Sequence, residues 1–110
     1  MKKAISLILA LVLCLSLCAC SPSKEDLVGT WSGSWTYKDN QFEETIVLKD
    51  DGTYKSAMYK NGKHHESESG TYEINGRTVE LHPNGDEGCT TPYKYKGGKL
   101  VNNDHEFFKE

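Results

Sequence analysis

Leu27-Val28-Gly29-Thr30-Trp31-Ser32-Gly33-Ser34-Trp35-Thr36-Tyr37 alternates two kinds of side chain along most of its length. Because successive side chains of a β-strand point to opposite faces, one face of such a strand carries Trp31, Gly33, Trp35 and Tyr37. The other face carries only hydroxyl residues, namely Thr30, Ser32, Ser34 and Thr36. The pattern is typical of a strand with one buried and one solvated face.

Turn signals divide the chain that follows at short intervals. The dipeptides at 51–52, 61–62 and 75–76 are Asp-Gly, Asn-Gly and Asn-Gly, each between runs of alternating polarity. Such dipeptides favour tight antiparallel hairpins, and no segment has a helical period of apolar residues. We predict an all-β domain, an antiparallel meander of about eight short strands that closes into a small barrel. The polar segment 64–69 is expected to be a weak or edge strand, separate from a strand at 70–74.

The first twenty residues have the parts of an export signal. Lys2-Lys3 forms a basic start, an apolar run extends from Ala4 to Leu17, and Ala19 supplies a small residue at a cleavage site. The apolar run is slightly short of the about 20 residues that a spanning helix needs, and no basic flank follows it. We predict a cleaved signal helix rather than a retained membrane helix.

Leu17-Cys18-Ala19-Cys20 resembles the lipobox of bacterial lipoproteins, in which a small residue precedes an obligatory cysteine. The resemblance implies that Cys20 carries diacylglycerol and anchors the chain to the cell membrane or the outer membrane, with the domain outside the cytoplasm. Cys14 and Cys18 each follow a leucine and do not fit the pattern. We expect a lipoprotein signal peptide at 1–19, a lipidated cysteine and tether at 20–26, and the folded domain at 27–110.

The mature chain is acidic and has a single cysteine beyond the anchor. Removal of residues 1–19 takes away two lysines and leaves 11 basic and 16 acidic side chains, a net charge of −5. Such a domain is poorly suited to phosphate backbones, so nucleic acid is not an expected partner, and the membrane contact is expected to be the lipid itself. Cys89 has no internal disulfide partner, and we expect it to be buried as a small hydrophobe. We expect a monomer without a cofactor.

Three short motifs resemble those of lipocalins and of bacterial lipocalin-like lipoproteins. Gly29-Thr30-Trp31 is similar to their G-x-W opening, and the segments 48–54 and 70–74 resemble their recurrent "strand, D-G, aromatic" and "G-T-Y-x-I" elements. The resemblance implies an up-and-down barrel in which the tryptophan of the first strand plugs one end. An eight-stranded barrel has an interior just wide enough for side chains or one small ligand.

The resemblance leaves open whether the barrel encloses a ligand cavity. The side chains expected inside are Trp31, Trp35, Tyr54, Met58, Tyr72, Ile74, Val79 and Leu81, and together they can fill the space. If a cavity exists, the residues expected to bind a ligand are Trp31, Trp35, Tyr54 and Tyr72. Both an open and a filled interior are retained as expectations.

A histidine-rich segment suggests a metal site. His64 and Glu66 share a strand face, and a cross-strand partner such as His82 would complete a set of zinc ligands. The spacing matches no standard metal motif, and the alternative is a solvated polar edge. For catalysis the chain has neither a nucleophile elbow nor a recognisable Cys/His pair, so we expect no enzyme.

Three functions remain open from the sequence. The first is a membrane-anchored binding module for a small hydrophobic or amphipathic ligand or an envelope partner. The second is a structural or interaction lipoprotein with a filled core. The third is metal capture through the segment around His64 and His65.

Overall fold

The computed structural model describes residues 21–85 and 88–110. A one-turn helix, α1, is followed by eight strands, β1 to β8, that form a closed antiparallel barrel in chain order. The elements are α1 (Lys24–Leu27), β1 (Gly29–Tyr37), β2 (Asn40–Leu48), β3 (Thr53–Lys60), β4 (Lys63–Asn75), β5 (Thr78–Pro83), β6 (Thr91–Lys96), β7 (Lys99–Asn102) and β8 (His105–Lys109). The predicted all-β antiparallel barrel is confirmed.

The barrel has two unlike ends because the chain runs up and down. One end holds α1, the start of β1 and the connections β2–β3, β4–β5 and β6–β7, and we call it the closed end. The other holds the connections β1–β2, β3–β4, β5–β6 and β7–β8, and we call it the open end. The barrel is sealed where β8 pairs with β1, with Trp31 opposite Lys109 and Ser32 opposite Phe108.

Tight turns set the strand register as the sequence predicts. Asn61 and Gly62 have φ values of 51° and 80°, the left-handed backbone that a two-residue hairpin turn requires. Lys38 and Asp39 adopt the same conformation, with φ values of 49° and 64°. The β1–β2 hairpin is thus in register from Tyr37 opposite Asn40 to Gly29 opposite Leu48.

The polar segment 64–69 and the strand at 70–74 are one continuous strand, contrary to the sequence prediction. Gly70 lies in the middle of β4, opposite Tyr54 on β3 and Pro83 on β5. A Cβ atom there would lie 2.0 Å from the His82 carbonyl oxygen. The glycine therefore permits close approach of two strands and does not end one.

The predicted tether is partly folded. Lys24–Leu27 forms α1, which begins with a capping box in which the Ser23 hydroxyl accepts from the Asp26 amide and the Asp26 carboxylate accepts from the Ser23 amide. Leu27 is fully buried, and its carbonyl accepts a 2.9 Å hydrogen bond from Trp31 Nε1. A single turn is too short to leave a helical period in the sequence, which is why it escaped prediction.

The core occupies the closed end and the middle of the barrel. Its buried side chains are Leu27, Trp31, Ile46, Leu48, Tyr54, Tyr72, Val79, Leu81, Tyr93, Leu100 and Phe107. Two residues expected inside are less buried than the alternation suggests. Ile74 is 37% exposed because it lies beside the β4–β5 turn at the rim, and Met58 is half-buried near the open end.

Two predictions concern residues outside or at the margin of the barrel. The predicted signal peptide and the predicted lipidation site at Cys20 lie outside the described residues. Within 21–85 and 88–110, the structure contains no helix with the length and apolar character of a membrane span. Cys89 is exposed, so the expectation that it is buried is wrong. It lies in the connection before β6 and thus belongs to no inward-facing strand position.

Candidate functional site

The closed end of the barrel is completed by protein side chains. Trp31 is 1% exposed and is tied to Leu27 by the ring nitrogen. Tyr72 is 7% exposed, and its hydroxyl donates a 2.6 Å hydrogen bond to the Lys49 carbonyl on the β2–β3 turn. Both residues were expected to bind a ligand, but the structure places them in the core, with their polar atoms already bonded.

Aromatic rings line the open end. The Trp35 ring stacks on His105 of β8 at a centroid distance of 4.0 Å and on Phe42 of β2 at 5.9 Å. The ring of His65, on β4, lies edge-on to Phe42 at a centroid distance of 6.4 Å. Trp35, Phe42 and His105 are each partly exposed. The rings form a wall that meets the core on one side, where Phe107 packs edge-on to Trp35, and solvent on the other.

Three carboxyl groups lie beside this wall on the inner face. Glu44 of β2, Met58 of β3 and Glu66 of β4 are successive partners in the register. Glu68 lies two residues further along β4, and its carboxylate accepts a 2.9 Å hydrogen bond from the Tyr54 hydroxyl. The Tyr93 hydroxyl donates a longer bond of 3.4 Å to Glu44. These groups make the inner face next to the rings acidic; Glu44 is half-buried, whereas Glu66 and Glu68 are exposed.

Glu44 is the carboxyl group most affected by this environment. Burial raises the pKa of Glu44 from 4.5 to about 7, the Tyr93 hydrogen bond opposes that rise, and the negative charges of Glu68 and Glu66 add to it. Burial also raises the pKa of Tyr93 and of Tyr54, so both phenols remain neutral hydrogen-bond donors. The open end thus holds a carboxyl group that gains or loses its proton near neutral pH.

We call Trp35, Phe42, His105, Glu44 and Tyr93 the open-end cluster. Its flat rings suit an apolar or planar group, whose burial releases water from the surfaces of both. Its carboxyl group suits a hydrogen-bond donor or a cation, because an ionised Glu44 is only partly solvated. The arrangement has the composition of a small-molecule site, mainly apolar with a few placed polar groups.

The sequence found part of this cluster. Of the residues expected to bind a ligand, Trp35 belongs to the cluster, whereas Tyr54 is buried in the core with its hydroxyl bonded to Glu68. Phe42, Glu44, His105 and Tyr93 were missed. One signal was available: Phe42, Glu44, Ile46 and Leu48 share a strand face, so a carboxylate interrupts an otherwise apolar set. His105 carried no such signal, since its stacking on Trp35 depends on closure between the first and last strands.

The metal ligands suggested by the sequence do not come together. Glu66 faces the interior, whereas His82 lies on the outer face, opposite Thr71. His64 pairs with Tyr59 beyond a register shift in β3–β4, and its Nε2 contacts the Ser67 hydroxyl at 2.5 Å. Because Thr71, opposite His82, is seven positions further along β4 than His64, the two histidines lie roughly 20 Å apart along the strand.

Two grooves also cross the outside of the barrel. One, of about 640 Å³, follows β1 between β2 and β8 and is lined by short or acidic side chains, among them Ser32, Ser34, Glu43 and Glu106. The other, of about 510 Å³, crosses β2, β3 and β4 and includes Val47, Ala57 and Tyr59. Their linings are mostly outward-facing strand positions, and Glu44 of the open-end cluster also borders the first groove.

Comparison with known proteins adds one finding. A family model described as a lipocalin-like domain matches residues 27–102, which includes β1 to β7. Neither the curated proteins nor the solved structures gave a match.

Proposed function

Because the chain belongs to the lipocalin-like domain family, we propose that its barrel binds a small hydrophobic or amphipathic ligand at the open end. The family model matches more than half of the 110 residues. In this chain the core occupies the closed end and the middle of the barrel. The ligand is therefore assigned to the end where interior side chains remain partly exposed.

One observation carries the proposal. Trp35 is stacked between two rings, at 4.0 Å and 5.9 Å, yet it is only partly buried. Removing the remaining exposed surface of a large aromatic side chain from water is favourable. A ligand that covers the ring wall would complete a packing arrangement that the protein itself leaves unfinished.

The polar groups indicate the chemical class of the ligand. Glu44, Glu66 and Glu68 lie on the inner face near the rings, and Glu44 is the one with the raised pKa. A carboxylate-bearing ligand would add a negative charge to this set, whereas an amine or another donor would offset it. The site therefore favours an apolar body with a cationic or hydrogen-bond-donating head.

The proposal is tested by mass spectrometry of protein that has been loaded in its own cell. A Cys20→Ser chain, exported from the native host by a signal without a lipobox, carries no acyl chains that could occupy the site. We expect a retained small-molecule mass under native conditions, reduced in Trp35→Ala but kept in Phe108→Ala, which removes a 56% exposed ring from the outer face. A bare protein mass, together with unchanged tryptophan fluorescence on addition of extracted host lipids, would instead support a filled structural barrel.

The second part of the proposal is lipid anchoring, which would hold the site at a membrane surface. The lipobox resemblance of 17–20 supports diacylglycerol on Cys20 and a domain outside the cytoplasm. Labelled palmitate is expected to enter the wild-type chain and Cys18→Ala but not Cys20→Ala. Incorporation into Cys20→Ala would contradict the assignment.

A further inference from the structure

A separate cluster of ligating side chains lies on the outer face of β4 and β5. Glu73 and Glu80 are direct partners across the two strands, and His82 is two residues beyond Glu80 on the same face. Their ligating atoms all lie within 4.8 Å of one another. The cluster is on the opposite side of the sheet from the inward-facing open-end cluster and is independent of it.

The His82 ring is held with one nitrogen directed at the carboxylates. Its Nε2 lies 3.7 Å from Glu73 Oε2 and 3.8 Å from Glu80 Oε2, which is too long for a hydrogen bond. Among the described residues, this nitrogen is the buried side-chain polar atom that has no hydrogen-bond partner. The other ring nitrogen, Nδ1, lies 3.1 Å from the Thr90 hydroxyl.

With a neutral His82, this arrangement has two energetic costs. Like charges directly opposite each other on neighbouring strands are destabilising, and Glu73 and Glu80 are such a pair. A buried nitrogen without a partner adds a desolvation cost. Both costs are removed by one cation placed between the three side chains.

We propose that Glu73, Glu80 and His82 bind one divalent transition-metal ion, for which zinc is the best match. Zinc accepts one imidazole nitrogen and carboxylate oxygens at bonds of about 2.0–2.2 Å. Tetrahedral bonds of that length place the ligand atoms roughly 3.4 Å apart. The three ligand atoms lie within 4.8 Å of one another, with Nε2 at 3.7 Å and 3.8 Å from the two carboxylates, so side-chain movements bring them to that spacing. A water molecule fills the fourth position in a site with three protein ligands.

The surroundings favour this ion over the other common divalent cations. Calcium requires six to eight oxygen ligands and magnesium also prefers oxygen, whereas this set includes an imidazole. Two carboxylates and a neutral histidine give a net charge of zero with a divalent ion. When Nε2 binds the metal, Nδ1 carries the proton and donates to the Thr90 hydroxyl, the outer contact that typically orients a metal-binding histidine.

The proposal is tested by zinc titration of the full-length lipoprotein in phosphatidylcholine nanodiscs, with a chromophoric chelator as competitor. We expect one zinc ion per chain, with the dissociation constant raised at least tenfold in His82→Ala and also raised in Glu80→Gln. The matched control is His64→Ala, which removes an exposed histidine from the same strand as Glu73 and is expected to bind zinc as the wild type does.

A second measurement covers the case in which His82→Ala fails to fold. Cobalt is added to the wild type, to Glu80→Gln and to Thr90→Val, which keeps all three ligands. The wild type and Thr90→Val are expected to give the visible absorption of four-coordinate cobalt, and Glu80→Gln to lose most of it. Wild-type zinc affinity in a folded His82→Ala or Glu80→Gln, or a loss of affinity in His64→Ala, would overturn the proposal.

Discussion

At the scale of single residues, Glu44 is a partly buried carboxyl group within the proposed site. Its side chain is one of the inward set of β2, between Phe42 and Ile46, so its carboxyl group is desolvated. A pKa of about 7 in the folded chain against 4.5 outside it means that ionisation is disfavoured by folding. The contribution of Glu44 to stability is therefore intact below pH 4.5 and is lost as pH rises through 7.

Glu44→Gln is predicted to remove this pH dependence. The difference between the two pKa values corresponds to a free-energy change on the order of 3 kcal/mol. We expect the variant to match the wild type in the free energy of unfolding at pH 4 and to exceed it by up to that amount at pH 8. Urea denaturation across this range measures the difference, with exposed Glu43→Gln as control. A gap that does not vary with pH would show that Glu44 titrates normally.

Sequence reasoning reached the two tryptophans, whose role follows from alternation, but overlooked Glu44, which alternation also marks. It missed the residues whose role follows from barrel closure. Trp31 was assigned to plug one end, and it does so with its ring nitrogen on the Leu27 carbonyl. Trp35 was assigned to the interior, but its stacking partner His105 lies 70 residues away in the chain. No local pattern indicates that β8 returns to β1 at that register, so half of the aromatic wall could not be inferred.

At the scale of elements, the turns were predictable, whereas the role of Gly70 within β4 was not. Tight hairpin turns need a left-handed backbone, which Asn and Gly adopt readily, so the Asp-Gly and Asn-Gly dipeptides identified the hairpins. Gly70 suggested the end of one strand and the start of another, because glycine is common in turns. Its actual role is to let β5 approach, because a Cβ atom at this position would collide with the His82 carbonyl oxygen. The local sequence does not reveal that neighbour.

Gly70→Ala is predicted to destabilise the barrel more than an ordinary surface substitution. The added methyl group would meet the backbone of His82 and Pro83, which cannot move as a flexible side chain can. We expect the free energy of unfolding to fall by about 1–3 kcal/mol or more, the range for overpacked positions. Ser69→Ala, at the exposed neighbouring position, should change it by less than about 0.5 kcal/mol. Equal stability of the two variants would mean that β4 and β5 separate easily.

At the scale of the whole molecule, α1 determines how the barrel would be held by an anchor at Cys20. Only Ser21, Pro22 and Ser23 lie between that cysteine and α1, a reach of roughly 10 Å. Because α1 packs at the closed end through Leu27, that end would face the bilayer and the open end would face away. A ligand would then enter from the aqueous side.

Fluorescence quenching by labelled lipid is predicted to report this orientation. In a Cys89→Ser background, a dye on Asp51→Cys at the β2–β3 turn should be quenched strongly by headgroup-labelled vesicles. A dye on Asn61→Cys at the β3–β4 turn should be quenched weakly, since the strands hold the two turns about 20 Å apart. Equal quenching would indicate that the barrel lies on its side.

The measurement closest to the central claim is calorimetric titration of the barrel with octylamine and with octanoate at pH 8. These probes share an apolar chain and differ in the charge of the head. We predict that octylamine binds at least tenfold more tightly than octanoate, that Trp35→Ala weakens its binding, and that Glu44→Gln reduces the preference between the two. Octanoate binding as tight as that of octylamine, or octylamine binding unaffected by Trp35→Ala, would contradict a ligand site at the open end formed by the rings and Glu44.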